Sequence, residues 1–290
     1  MTDAINQLFT GLSIASILLL ISLGLAIIYG TMGVINLAHG EFVMLGAYSV
    51  WFLQKFLGIG LIAGLVFVFI IVGAIGWFVE RTIIRHLYHR PLDTILATWG
   101  IGVILQQAVR LGAGAELRYV KMPDSLTQAI PIFGVDQSAY RIFILLLTIA
   151  LLVATYYLIF RTQFGMRLRA VTQNPEIAKC FGINTARVYS MTFAYGAGLA
   201  GIAGALVAPL KSVAPDMGTN FVVDAFMVVV VGGVQSLLGT VASAAVLGQV
   251  SGVIAFLAND TLAKALVFFG VVILIRFWPQ GLFAMKMRRG

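Results

Sequence analysis

Long apolar runs, separated by short polar stretches, recur along the whole chain. A helix needs about 20 apolar residues to cross the hydrocarbon core of a membrane, and nine segments approach that length. Their approximate bounds are 8–31, 35–54, 58–79, 92–110, 141–160, 188–209, 222–235, 238–257 and 263–278. The runs do not alternate with polar residues, as the strands of a membrane barrel would. The pattern therefore predicts an all-α, polytopic membrane helical bundle.

The composition agrees with lipid as the main solvent. Of the 290 residues, 60% are hydrophobic and 10% are charged, whereas soluble domains carry about 25% charged residues. Met1 to Phe9 lack the basic residues of a secretory signal, so we expect the first segment to be retained. A single cysteine, Cys180, excludes an intrachain disulfide and a cysteine-based metal site. We expect one transmembrane domain over residues 1–290.

Basic residues are distributed unevenly between the two sets of connecting stretches. One set holds 12 of the 19 basic residues and three acidic ones: Arg81, Arg85, Arg90, Arg161, Arg167, Arg169, Lys179, Arg187, Arg276, Lys286, Arg288 and Arg289, with Glu80, Asp93 and Glu176. In the other set, seven basic residues are matched by seven acidic ones. Because an excess of Lys and Arg marks the cytoplasmic side, we expect the N-terminus outside and the C-terminus in the cytoplasm.

Two of the nine segments are poor continuous helices. Segment 35–54 contains the polar stretch Asn36–Glu41, and the short segment 222–235 runs into Gly232 and Gly233. Unwound backbone is tolerated at membrane depth where it lines a cavity. Interrupted segments in corresponding halves are typical of transporters with internal repeats. The sequence thus predicts two broken segments within an inverted internal repeat.

The stretch Asn36–Glu41 brings a carboxamide, the imidazole of His39 and a carboxyl group to membrane depth. Such groups cost several kcal/mol in lipid unless they face a cavity or a partner. One interpretation is that Asn36, His39 and Glu41 line a solute pathway. The other is that they form a static hydrogen-bonded helix break, which can itself support a pathway.

Segment 92–110 is apolar except for a few groups that include Thr98, Gln106 and Gln107. Thr98 and Gln106 lie on one helical face. Gln107 is adjacent to Gln106 and therefore does not lie on that face. This pattern is compatible with two roles. Thr98 and Gln106 line a pathway, or they form hydrogen bonds between helices.

Several patterns that would indicate enzymes are missing or out of context. Gly196, Gly198 and Gly201 spell G-x-G-x-x-G, but they lie inside a membrane segment that no strand precedes, which argues against a nucleotide site. Gly196, Ala200, Gly204 and Ala208 instead form a small-residue stripe that lets helices approach closely. Neither a P-loop nor an H-E-x-x-H pattern occurs, and His86 and His89 sit in a basic loop where we expect solvated side chains. We expect no catalytic site, metal or cofactor in this chain.

The connecting loop 164–187 contains a helix start. Asn174 suits the N-cap, Pro175 the first helical position and Glu176 the first turn, so we expect a short helix ending near Gly182. It is either a surface that docks on another subunit or an ordinary amphipathic connector.

Three stretches resemble a known family: INLAHGEFVMLGAY at 35–48, NPEIAKCFGIN at 174–184 and DAFMVVVVGGVQSLLGT at 224–240. They are similar to the membrane permeases of ATP-binding-cassette importers for branched-chain amino acids and urea. The resemblance implies a second homologous permease, two cytoplasmic ATPases that bind ATP and Mg, and an external solute-binding protein, in a bacterial inner membrane. It also implies that Asn174, Pro175, Glu176, Ala178 and Gly182 belong to the helix that couples to the ATPases. The family tract usually reads GGVG or GGLG, and Gln235 departs from it.

The tracts 92–107 and 214–226 resemble the urea branch more than the amino-acid branch. We therefore expect urea or a short amide as the substrate, with donors and acceptors such as Asn36, His39, Thr98 and Gln106. A branched-chain amino acid is the alternative. A gradient-driven transporter or channel, with His39 and Glu41 as a proton relay, is a rival of another class. An intramembrane hydrolase would need a nucleophile and base within reach, and the Ser and His residues show no such spacing.

Overall fold

Nine long helices fall on the nine predicted segments. A computed structural model of the chain describes residues 2–88, 90–132, 135–234 and 236–282. The long helices are α1 (Thr2–Met32), α2 (His39–Leu57), α3 (Leu61–Thr82), α4 (Pro91–Ala113), α5 (Ala139–Arg161), α8 (Thr185–Val207), α9 (Met217–Gly232), α10 (Leu237–Leu257) and α11 (Asp260–Phe277). Two shorter helices, α6 (Gln163–Gln173) and α7 (Pro175–Cys180), connect α5 to α8.

Six of these helices, α1, α3, α4, α5, α8 and α10, are long and apolar enough to cross a membrane. Helix α9 is apolar but has 16 residues. The all-α bundle is thus confirmed, whereas the count of nine crossings and the inverted repeat stay predictions.

The helices begin and end at two opposite ends of the bundle. The loop between α4 and α5 meets the start of α1, because Gln137 Nε2 donates to Asn6 Oδ1 at 2.8 Å. It also meets the end of α2, where Gln54 Nε2 donates to the Lys121 carbonyl at 3.0 Å. We call this end of the bundle, with residues 114–132 and 135–138, the loop face. Helices α6 and α7 lie at the opposite end, which we call the coupling face.

A small hairpin lies on the loop face. Strands β1 (Ala129–Ile132) and β2 (Val135–Ser138) pair antiparallel. Arg118 and Val213 form a further backbone bridge between this loop and the segment after α8. The hydrophobic pattern predicted no strands in this loop.

Helix α8 occupies the centre of the bundle and packs against α1, α2 and α3. Its small-residue stripe allows close approach: a Cβ at Gly196 would meet the Gly24 carbonyl of α1, and one at Gly204 would meet the Val43 carbonyl of α2. Ala200 and Ala208 are buried. The predicted stripe is therefore confirmed as a packing surface.

The two irregular segments differ in detail from the prediction. Residues 33–38 are non-helical, and α2 then runs without interruption from His39 to Leu57, so the break precedes the helix instead of dividing it. Helix α9 begins five residues before position 222, at Met217, and ends at Gly232 ahead of Gly233, whose φ is +86°. Gln235, His89 and residues 283–290, which include Lys286, Arg288 and Arg289, lie outside the described residues.

Candidate functional site

The non-helical segment 33–38 is held by side-chain hydrogen bonds. Asn36 Oδ1 accepts from the backbone N–H of Ala38 at 3.1 Å. Thr98 Oγ1, on α4, accepts from the backbone N–H of Leu37 at 3.2 Å and donates to the Thr94 carbonyl at 2.9 Å. Asn36 and Thr98 are fully buried. Two of the predicted residues thus satisfy backbone groups that the broken helix leaves free.

His39 anchors the first turn of α2 to the middle of α1. Its ring is fully buried, and Nε2 lies 2.9 Å from the carbonyl oxygen of Ile21. Since a carbonyl only accepts, Nε2 carries the proton in this contact. Helix α1 continues for eleven residues beyond Ile21, a rise of about 16 Å. The 33–38 segment therefore folds back along α1 before α2 begins.

Glu41 joins three helices. Its side chain is 4% exposed, and Oε1 accepts from Gln106 Nε2 of α4 at 2.7 Å. The same Gln106 Nε2 lies 3.3 Å from Thr219 Oγ1 of α9. Oε2 meets no hydrogen-bond donor among the residues that the structure describes. Gln107 is exposed on the other side of α4, as the spacing predicted.

The first turns of α2 and α9 touch beside this carboxylate. A Cβ at Gly40 would meet the Gly218 carbonyl, and a Cβ at Gly218 would lie 2.6 Å from both the Gly40 carbonyl and Glu41 Oε2. Glu41 Oε2 therefore lies beside the first turns of both helices, and glycine is required at both contacts.

The structure brings the five predicted residues into one region but gives them two kinds of environment. Asn36, His39 and Thr98 are enclosed and hydrogen-bonded to backbone. Glu41 and the half-buried Gln106 bond to each other. The sequence analysis missed Thr219 and Gly218, because nothing in an apolar run reveals which neighbour a helix start will meet.

A second buried carboxylate was also missed. Glu80, near the end of α3, accepts hydrogen bonds from the hydroxyls of Tyr88 and Ser190 and is fully buried. Burial, and then the bond to Glu80 and its charge, raise the pKa of the Tyr88 phenol well above its ordinary value. Tyr88 therefore remains a proton donor to Glu80, and the bond from Ser190 to Glu80 ties α3 to the start of α8.

Helix α7 on the coupling face forms as predicted. Asn174 Oδ1 caps it by accepting from the backbone N–H of Glu176 at 3.1 Å and of Ile177 at 3.0 Å. Pro175 is the first helical residue. Gly182 has a φ of +77°, and its N–H donates to the Lys179 carbonyl at 2.9 Å. The positive φ explains why glycine suits this end.

One side of α7 packs on the bundle and the other is free for contact. Ala178 is buried in a cluster with Leu168, Val171 and Val188. Ile177 is 55% exposed, and Phe181, just after the helix, is 82% exposed. The rest of the described chain therefore leaves this side of α7 uncovered.

Comparison with known proteins shows which family the chain belongs to. Residues 7–276 match the family described as the permease component of branched-chain amino acid transport systems. The chain belongs to this family. It is a multi-pass membrane protein and a transport subunit, as its apolar helices and its relatives agree.

Curated relatives cover nearly the whole permease. The high-affinity branched-chain amino acid transport system permease protein LivH of Salmonella typhimurium is 29% identical over 93% of this chain and 92% of its own. The corresponding protein BraD of Pseudomonas aeruginosa is 29% identical over 96% and 95% of the two chains. LivM of Salmonella typhimurium is 26% identical over 93% of this chain and 68% of its own. No solved structure matches this permease significantly.

Proposed function

We propose that this permease is the membrane subunit of an ATP-binding-cassette importer for branched-chain amino acids in a bacterial inner membrane. The observation that carries the proposal is the family match over residues 7–276, together with relatives named for branched-chain amino acid transport. Urea or a short amide, expected from tracts 92–107 and 214–226, has no support from these relatives. It remains the second candidate on those two tracts alone.

The importer contains further subunits in this proposal. LivH and LivM of Salmonella typhimurium are different permease proteins, and both resemble this chain, which favours a second homologous permease as its partner. Two cytoplasmic ATPases would bind ATP and Mg, and an external protein would deliver the solute. In this proposal the nucleotide and metal bind to the partner subunits. Residues 1–290 would act as one transmembrane domain, with 164–187 as its coupling loop.

Helix α7 is the proposed contact with the ATPases. The exposed side chains of Ile177 and of Phe181, just after the helix, provide the apolar contact, while Ala178 fixes the helix to α6 and α8. A displacement of α7 on ATP binding would reach α8 through this packing. The coupling residues Asn174, Pro175, Glu176 and Gly182 set the shape of the helix and do not need to touch nucleotide.

The contact between α2 and α9 is the proposed movable part of the pathway. Helix α8 packs against α2, and α9 meets α2 at Gly40 and Gly218. Glu41 and Gln106 offer a carboxylate and an amide there, whereas Asn36, His39 and Thr98 hold the broken backbone. In this proposal the N-terminus lies outside, so the loop face receives the solute and the coupling face meets the ATPases.

Substrate competition on the reconstituted importer tests the proposal. Labelled leucine uptake into proteoliposomes that contain the permeases, ATPases and binding protein should be blocked by unlabelled isoleucine or valine but not by urea. Labelled urea uptake that leucine does not inhibit would replace the proposed substrate with the second candidate. Transport by this chain purified without ATPases would instead indicate a channel or gradient-driven carrier.

A further inference from the structure

A cavity of about 410 Å³ lies among α1, α9, α10 and α11, outside the region of Glu41. Its deeper wall is apolar and consists of Ile17, Leu18, Met227, Val228, Leu247 and Val267. Its rim lies toward the loop face, since it includes Thr10 from the first part of α1 and Asp260 from the start of α11.

The rim carries charges of both signs. Arg141, Lys211 and Lys264 are basic, and Asp224 and Asp260 are acidic. Lys264 Nζ donates to Asp224 Oδ2 at 3.2 Å, with the lysine side chain 52% exposed and the aspartate 13% exposed. An apolar pocket below paired opposite charges is complementary to a small zwitterion with an aliphatic tail.

This cavity is separated from the proposed pathway by α9. Gly218 and Val222 of α9 lie against Gly40 of α2. Phe221, Asp224 and Val228 recur at the spacing of another helical face and line the cavity. The two sites therefore use different sides of one helix.

We propose that this cavity binds a free α-amino acid with an aliphatic side chain. The ligand carboxylate would face Arg141 and Lys211, its ammonium group would face Asp224 and Asp260, and its side chain would enter the apolar wall. Urea would leave that wall unfilled. The inference rests on the proposed function, because it assigns the same class of substrate to a specific place in this chain.

Equilibrium binding of tritiated leucine tests the inference on the purified full-length permease in phosphatidylcholine nanodiscs without the binding protein. Saturable binding is expected, and Asp224→Asn should weaken it roughly tenfold, the effect of losing one charge-assisted hydrogen bond. Ser251 of α10 also lines the cavity, and Ser251→Phe should weaken binding by filling it without a change of charge. Asp93→Asn removes a carboxylate from an exposed ion pair with Arg90 elsewhere on the chain, so binding should not change.

The need for both charges is tested by competition. Isovalerate and isoamylamine each carry the leucine side chain with one charged group, so both should compete far less well than isoleucine. Absence of saturable binding, or equal binding by the wild type, Asp224→Asn and Ser251→Phe, would overturn the inference. If the complete importer takes up leucine although the permease fails either binding test, the proposed function is retained and only the site is rejected. Leucine binding by the permease, with urea as the only transported solute, would instead reject the proposed function and retain the site.

Discussion

At the scale of single residues, the polar groups around the start of α2 have unequal roles. Thr98 and Asn36 bond to backbone that has lost its helical partners. Asn36 Nδ2 and His39 Nδ1 have no partner among the described residues. Glu41 bonds to the side chain of Gln106, and the second oxygen of its carboxyl group likewise has no donor there. A buried carboxylate with a free acceptor is a costly arrangement for structure alone, which supports a role for Glu41 in transport.

Replacement of Gln106 should impair transport without unfolding the permease. Gln106→Ala removes the amide that bonds to Glu41 Oε1, so we expect uptake by the reconstituted importer to fall roughly tenfold, the cost of one hydrogen bond to a charged group. Gln107→Ala changes the adjacent, exposed residue and serves as the control. Equal uptake rates for the two variants would show that the Glu41–Gln106 bond has no part in transport.

Removal of the Thr98 hydroxyl should reduce stability. In Thr98→Val the part-buried N–H of Leu37 loses its acceptor, which costs about 1–3 kcal/mol and should lower the melting temperature in detergent. Thr148→Val is the matched control on α5, because Thr148 is buried and its hydroxyl has no partner among the described residues. A melting temperature unchanged by Thr98→Val would mean that the break does not depend on this bond.

At the scale of helices, the sequence predicted those helix ends that depend on neighbouring residues in the chain. The Asn174-Pro175-Glu176 start and the glycine at 182 predicted α7, because capping and turn conformation depend on neighbours along the chain. The start of α9 at Met217 was missed: its first turn packs on Gly40, which is distant in sequence, so no local signal marks this contact. For the same reason, Thr219 could not be placed beside Gln106 from the sequence.

Loss of the α7 cap should uncouple the permease from its ATPases. Asn174→Ala removes both capping hydrogen bonds, at a cost of about 1 kcal/mol, and frays the helix that carries Ile177. We expect slower uptake per ATP hydrolysed. Ser236→Ala removes the cap of α10, which accepts from the Gly239 N–H at 2.9 Å, and should leave coupling intact. A normal ratio of uptake to hydrolysis in Asn174→Ala would argue against α7 as the coupling element.

Close packing of α8 should tolerate no added carbon at Gly204. Its Cβ would collide with the Val43 carbonyl of α2, so Gly204→Ala should cost about 1–3 kcal/mol, the usual range for overpacking. Gly100 on α4 has open space around it, and Gly100→Ala should be tolerated. Thermal unfolding of both variants in the same detergent gives the comparison; equal melting temperatures would contradict the packing of α2 on α8.

At the scale of the whole molecule, hydropathy identified the helices, and the positions of basic residues predicted their orientation. Neither could reveal the cavity beside α9, because it depends on which helices become neighbours. The hairpin on the loop face pairs two four-residue strands within one loop, which helix-length hydropathy does not detect. The urea expectation came from short tracts, whereas the family match covers residues 7–276. A resemblance over the whole chain is better evidence for the transport system than two tracts within it.

The native cysteine provides a test of orientation. Cys180 is the one cysteine in the sequence and is exposed at the end of α7. If the coupling face is cytoplasmic, a membrane-impermeant maleimide should label Cys180 in permeabilised cells and inside-out vesicles but not in intact cells. Cys180→Ser gives the background signal. Labelling of intact cells at the same rate would place α7 outside and reverse the predicted topology.

The central claim is that this permease moves branched-chain amino acids only when its partners hydrolyse ATP. The most direct measurement is uptake of labelled leucine by proteoliposomes that contain the complete importer and the binding protein, with ATP and Mg or with a non-hydrolysable ATP analogue. The account predicts accumulation of leucine against its gradient with ATP and none with the analogue. Equal leucine uptake in the two conditions, or no leucine uptake with ATP, would contradict it.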